Sequence, residues 1–173
     1  QKKERENLAN VRSGEYEGLE EKIKKENWRP DYGLKFNKKT GASAVGVRDF
    51  LIAYNINLNT KSTRLANAIA FDVREKGRIK RKGHPVIGDI VYDKSGNPET
   101  IPGSLKHVKA IGWYIEEFGI AQISMNLTNI DKTPIHIVFD EVCEKAHLRG
   151  AKVTGSELVG LIPLKSILDA GKY

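Results

Sequence analysis

The side chains best equipped for recognition chemistry are amides on segments that alternate like β-strands. Asn55 and Asn57 alternate with Tyr54, Ile56 and Leu58, while Gln122, Ser124, Asn126 and Thr128 alternate with Ala121, Ile123, Met125 and Leu127. A period of two sends amides to one face and apolar residues to the other. An amide both donates and accepts, so such a face suits either plain solvent or a heterocycle with amide-like edges. Glu157 is a further polar residue on a strand-like segment.

Other chemistry finds less support. His136 and His147 share one helical segment but stand eleven residues apart, too far to chelate one metal, and His84 and His107 lie elsewhere. No HExxH, P-loop or GxSxG pattern occurs, and GSELVG at 155–160 lacks dinucleotide-loop spacing. Cys143 sits beside Val142 and Ala146 on an apolar stripe and reads as a small core residue. The basic run RIKRK at 78–82 invites an RNA-binding reading, but the aromatic-rich strand pattern that would accompany it is missing, and the adjacent Trp113 and Tyr114 face opposite sides.

Elements that would position these residues follow from periodicity. Glu15 to Asn27 reads as a short helix with Leu19 and Ile23 on one face, followed by a Gly- and Lys-containing loop over 31–46. Asp49 to Leu58 reads as a strand, and Leu65 to Val73 as an amphipathic helix capped around Asn59 to Ser62 and ending by Gly77. Residues 78–106 read as an insertion with a hairpin at Val86 to Asp93. Strands are expected at His107 to Glu116, Ile120 to Asn129 and Lys152 to Leu161. Between the last two lies a helix with Pro134 in its first turn, and a short helix over Leu164 to Ala170 follows. The order βαββαβ is the ferredoxin-like signature, an α+β fold with two helices on one face of an antiparallel sheet. The expected domains are a connector, 1–46, and a ferredoxin-like unit, 47–173.

Composition limits the partners. With 29 basic and 22 acidic residues the net charge is +7, which favours an anionic partner without naming one. A single cysteine excludes an internal disulfide, and the charged QKKERENLANVR start is unlike a signal peptide. A soluble cytoplasmic protein is expected, and a start at Gln1 without Met fits a processed product or part of something longer.

GEYEGL at 14–19, WRPDYG at 28–33, FLIAYNINL at 50–58, KAIGWYIEEFGIAQISMNLTN at 109–129 and GSELVGLIPLKSILDAG at 155–171 resemble the formimidoyltransferases. These enzymes move a formimino group from N-formimidoyl-L-glutamate to tetrahydrofolate in histidine degradation. The resemblance implies a module of two subdomains with folate in the groove between them, this chain being the second subdomain with its connecting segment. It puts the general base on a His of the first subdomain, outside this chain. KGHPVIGD at 82–89 lies in the insertion, so that role is not carried to His84, and no catalytic residue or metal ligand is assigned. The implied folate stretch is Gly33, Leu34, Lys35, Phe36, Asn37, Lys38, Lys39, Thr40 and Gly41. Its lysines are suited to the glutamyl carboxylates of a polyglutamylated cofactor. Asn55, Asn57, Gln122 and Asn126 become candidates for lining the groove, and Glu157 stands where animal members carry Gln. The implied partners are folate, N-formimidoylglutamate and the N-terminal subdomain; apart from the resemblance, a sheet face built to meet another subdomain could also pair with a second copy in a homodimer. A non-catalytic folate or pterin module is the alternative, and an RNA-binding domain a more distant one.

Overall fold

The computed structural model describes residues 3–33, 35–84 and 87–173. The chain divides into a unit ending at Arg48 and a unit spanning Asp49–Tyr173.

In the first unit, α1 (Leu8–Arg12) starts on Asn7, whose side chain accepts from Ala9 N, and α2 spans Leu19–Lys24. The single helix expected over 15–27 is broken at both ends. Gly14 and Glu15 adopt positive φ, and Gly18 presses so closely on Gly14 that a Cβ would lie 2.7 Å from its carbonyl oxygen. Lys25 is extended before a 3-10 turn, Glu26–Trp28. The ammonium of Lys22 donates to the carbonyls of Asn10, Val11 and Ser13 at 2.6, 2.9 and 2.8 Å, and lies 4.0 Å over the Trp28 ring. It thereby satisfies carbonyls that the end of α1 leaves open.

The second unit carries β1 (Ile52–Leu58), α3 (Thr63–Val73), four two-residue strands β2 (Arg78–Ile79), β3 (Arg81–Lys82), β4 (Asp89–Ile90) and β5 (Thr100–Ile101), then β6 (Val108–Ile115), β7 (Ile120–Leu127), α4 (Ile135–Leu148), β8 (Val153–Val159) and α5 (Leu164–Lys172). The main sheet is antiparallel in the order β6-β7-β1-β8. This is an α+β fold, and its strand order is consistent with the ferredoxin-like expectation.

Helix and strand chemistry explains the packing. Ser62 caps α3 by accepting from Leu65 N at 3.1 Å, and Pro134 is the cap of α4 rather than a residue of its first turn. Alternation in β1 buries Ile52, Tyr54, Ile56 and Leu58 against Ala66, Ile69, Ala70 and Val73 of α3 and Val138, Val142 and Ala146 of α4. Each large aliphatic side chain so buried contributes about 1.5–3 kcal/mol.

The insertion forms two small ladders, β2 with β5 and β3 with β4, and Tyr92 bridges Pro98. Pairing therefore starts at Arg81, ahead of the hairpin expected from Val86, a residue outside the described set. At the base, Gly77 has a φ of 63°, and a Cβ there would lie 1.8 Å from the Ile101 carbonyl oxygen. A Cβ at Gly103 would lie 2.1 Å from the Arg74 carbonyl oxygen. The two ends of the insertion thus touch through glycine backbone, where no side chain fits. Asp72 of α3 joins three elements, binding Arg78 of β2 and accepting from Nε of Arg149, after α4, at 2.6 Å. Among the described residues no helix is long and apolar enough to cross a membrane.

Candidate functional site

The strand register arranges the face of the sheet turned away from α3 and α4 in rows. One row across all four strands holds Trp113, Gln122, Asn57 and Gly155; the next holds Ile111, Ser124, Asn55 and Glu157; a third holds Lys109, Asn126, Ala53 and Val159.

The first two rows are tied by one network. Trp113 Nε1 donates to Gln122 Oε1 at 2.9 Å, and Gln122 Nε2 donates to Asn57 Oδ1 at 2.7 Å and to Glu157 Oε2 at 3.3 Å. Asn55 Nδ2 donates to the same Glu157 oxygen at 3.3 Å. Gln122 is fully buried and Asn55 is 7% exposed, although both belong to the face opposite the helices. Trp113 and Glu157 come from the two outermost strands and converge on the Gln122 amide, which closes it off from water. A buried amide needs partners on both oxygen and nitrogen, and Gln122 has them. Gln122, expected to line a groove, is instead buried here as a fixed anchor for its neighbours. Asn57 is half-buried, and Asn126 stands exposed in the third row.

Trp113 and Glu157 are the members of this network that the sequence-based site did not include. The signal for Trp113 is the hairpin from β6 to β7, whose short turn sets it opposite Gln122. For Glu157 it is the placement of β8 beside β1, a pairing between segments about a hundred residues apart in the chain.

The loop at 33–41 belongs to the first unit. Asn37 Oδ1 accepts from the backbone of Lys39 at 2.9 Å and of Thr40 at 3.3 Å, and Asn37 pairs with Gly41 across the turn. Gly33 and Gly41 take positive φ, the conformation that glycine adopts without strain. Tyr16 donates to the Lys38 carbonyl at 2.5 Å and packs 5.8 Å from the half-buried Phe36 ring. Lys35, Lys38, Lys39 and Thr40 are exposed, and the three ammonium groups have no ion-pair partner among the described residues. Leu34 lies outside the described residues.

The second basic segment is engaged differently. Arg78 binds Asp72, Lys80 binds Glu99 at 2.7 Å, and Arg81 donates to the Gly88 carbonyl at 2.7 Å. His84 Nδ1 accepts from Ile87 N at 3.3 Å. These contacts hold the insertion together. Cys143 is half-buried, and burial followed by the nearby Asp140 pushes its thiol pKa up, away from nucleophile behaviour. Among the described residues no group of three His, Cys, Asp or Glu side chains is arranged to hold a metal ion.

Comparison with known proteins adds the family. The family described as "Formiminotransferase domain" matches residues 53–173, and its "N-terminal subdomain" matches residues 1–48. The expectation that the first subdomain lies wholly outside the chain is thereby corrected. The segment expected as a connector carries sequence of that subdomain, and the chain divides into its compact units at the same point. The chain is similar to a formimidoyltransferase-cyclodeaminase of Dictyostelium discoideum, at 47% identity over 98% of this chain and 28% of the relative. It is also 37% identical to glutamate formimidoyltransferases of Streptococcus pyogenes serotype M1 and Thermoplasma acidophilum, over 98% and 100% of this chain. It spans about half the length of those two relatives, 49% and 50%. With both subdomain descriptions matched in order along its length, the chain belongs to the formiminotransferase family.

Proposed function

We propose that this chain is the folate-binding part of a transferase that moves a formimino group from N-formimidoyl-L-glutamate to tetrahydrofolate in histidine degradation. The observation that carries this reading is the contrast between two basic segments. The cations at 78–81 are spent on internal partners, whereas Lys35, Lys38 and Lys39 surround an ordered turn with their charges unpaired among the described residues. Flexible cations of this kind suit the carboxylates of a polyglutamate tail. Further support comes from the names of the relatives and from an amide-rich sheet face able to meet a heterocycle edge.

In the transfer, an amine nitrogen of the pterin attacks the formimino carbon, a new C–N bond forms, and the bond to the glutamate nitrogen breaks as that nitrogen takes up a proton. A base must accept the proton of the attacking amine, and both substrates must be held in line. Residues of this chain serve orientation and anion binding, with the base supplied from outside residues 1–173. On this reading the reaction runs in the cytoplasm, and a homodimer is the assembly to look for.

Calorimetric titration with folinic acid is the first test, and the expected result is binding that weakens mildly between about 50 and 200 mM salt. An RNA-binding domain would instead show no folate heat and a steep salt slope with oligonucleotides. Formimino transfer is then assayed with the chain alone and with a complete first subdomain added, activity being expected only in the second case. Activity of the chain alone would show that the base lies within it. Folate binding without transfer in either case would favour a non-catalytic module.

A further inference from the structure

The side of the main sheet that carries the helices has an opening of its own, away from the amide rows. On the outermost strand β8, Ser156 and Leu158 stand opposite Ile56 and Tyr54 and so point to the helix side. α4 brings His136, Phe139 and Asp140 to the same place, three and four residues apart on one helical face, and α5 adds Tyr173. Between them lies a groove of about 500 Å³, within the size range of small-molecule sites.

The groups along this groove select a kind of ligand. His136 Nδ1 is buried and has no hydrogen-bond partner among the described residues. Buried polar atoms are nearly always paired, and a groove against the same ring is where a ligand's donor pairs this one. The imidazole stacks on the Tyr173 ring, with centroids 4.6 Å apart and 24° between the planes. The Tyr173 hydroxyl donates to Asp140 Oδ2 at 2.7 Å, and Oδ1 has no partner among the described residues. Asp140 is the one carboxylate of the lining, and no Lys or Arg belongs to it. Burial pushes the pKa of the Tyr54 phenol up, so the floor is uncharged. A chain of net charge +7 thus holds one groove of the opposite sign.

We propose that this groove binds a small aromatic amine, with its ring against His136, Phe139 and Tyr173 and its ammonium on Asp140. An ammonium is all donors and no acceptor, which matches a carboxylate oxygen and an imidazole nitrogen one helical turn apart. The aromatic body matches the three rings and the apolar side chain of Leu158, and removes them from water. An anion finds no cation here. The site lies on the opposite side of the sheet from the amide rows, so it is independent of the folate reading. Its occupant touches both α5 and β8 and fastens the helix to the sheet edge.

Tryptamine, tryptophol and indole-3-acetate share one ring body and end in an ammonium, a hydroxyl and a carboxylate. Each is titrated into the chain and into Asp140→Asn, with backbone amide shifts read by NMR. Asp140→Asn keeps an acceptor for the Tyr173 hydroxyl, so α5 stays docked. Tryptamine is expected to bind saturably, to shift the amides of Phe139, Ile167 and Tyr173, and to weaken about threefold to tenfold in Asp140→Asn. Tryptophol is expected to change by less than about twofold, so that the comparison of ligand and variant cancels any general change in the groove. Indole-3-acetate is expected to bind more weakly than either. Ala170→Phe, at a half-buried lining position, fills the groove and is expected to abolish tryptamine binding while folinic acid binds as before. The proposal is overturned if tryptamine gives no saturable shifts, if tryptophol or indole-3-acetate binds as tightly as tryptamine, or if Asp140→Asn weakens tryptamine and tryptophol alike. Displacement of folinic acid by tryptamine would put the amine on the other face and overturn it as well. None of these results bears on the folate reading, which fails separately if folinic acid does not bind.

Discussion

Asn67 of α3 treats the peptide of Gly112 as a strand would, donating Nδ2 to its carbonyl oxygen at 2.9 Å and accepting from its N–H at 3.0 Å. Gly112 lies on β6, an outermost strand of the sheet, so the amide satisfies backbone groups that no neighbouring strand pairs. A Cβ at Gly112 would stand 2.2 Å from Asn67 N and 2.4 Å from the Ala66 carbonyl carbon. Gly112→Ala is expected to force the helix off the strand and cost about 1–3 kcal/mol. Asn67→Ala, which removes both bonds, is expected to cost a similar ~1–3 kcal/mol. Urea melts of both variants check this, and an unchanged midpoint for Gly112→Ala would contradict the close approach.

Trp113→Phe removes the donor to Gln122 while keeping an aromatic wall. The buried Gln122 oxygen then lacks a partner, and the expected loss is about 1–3 kcal/mol. Gln122→Met, which removes both needs and leaves a side chain of similar length, should be less damaging than its burial alone would suggest. The ranking of the two by chemical denaturation is the measurement.

Asp72 holds two guanidinium groups from different parts of the chain, and its side chain is only 21% exposed. Asp72→Asn keeps the shape and leaves two positive charges facing each other. A loss of about 1–3 kcal/mol is expected, larger than that for Arg149→Ala, which removes one of the two charges. Hydrogen exchange should show faster opening in the insertion for the Asp72 variant.

Glu141 supplies a pH dependence whose sign is fixed. Burial works against its charged form, but hydrogen bonds from Ser104 and from Lys145, the latter at 3.1 Å, hold its pKa below the usual carboxylate value. A carboxylate with a depressed folded pKa stabilises fully above its unfolded value and loses that contribution as pH falls through the folded value. Thermal melts between about pH 7 and pH 3 should therefore show Glu141→Gln less stable than the parent near neutrality, with the two curves converging in acid. Parallel curves throughout would rule out this linkage.

Much of the second unit could be read directly from periodicity. Alternation in β1 and β7 separated the buried apolar residues from Asn55, Asn57 and Gln122 without any knowledge of the fold. Which amides become buried was not legible, because Gln122 is covered by side chains from two strands that only the sheet order brings near it. Glu157 looked like an ordinary polar strand residue until its pairing opposite Asn55 was known. In the first unit the helical pattern at Leu19 and Ile23 was real but short, since Gly14, Glu15 and Lys25 take backbone conformations that periodicity does not encode. The lysines at 35–39, without ion-pair partners among the described residues, and the spent cations at 78–81 are compositionally alike, and only carboxylate and carbonyl partners tell them apart.

The glycine-tight neck at Gly77 and Gly103 has a consequence for how this chain tolerates change in length. With the entry and exit strands already in contact, the ends of the insertion are fixed whatever lies between them. Doubling a flexible loop between fixed ends costs only about 0.6 kcal/mol. The region beyond β2 and β5 can therefore be shortened, extended or replaced by a grafted reporter with little penalty, while Asn57, Gln122 and Glu157 keep their places on the sheet.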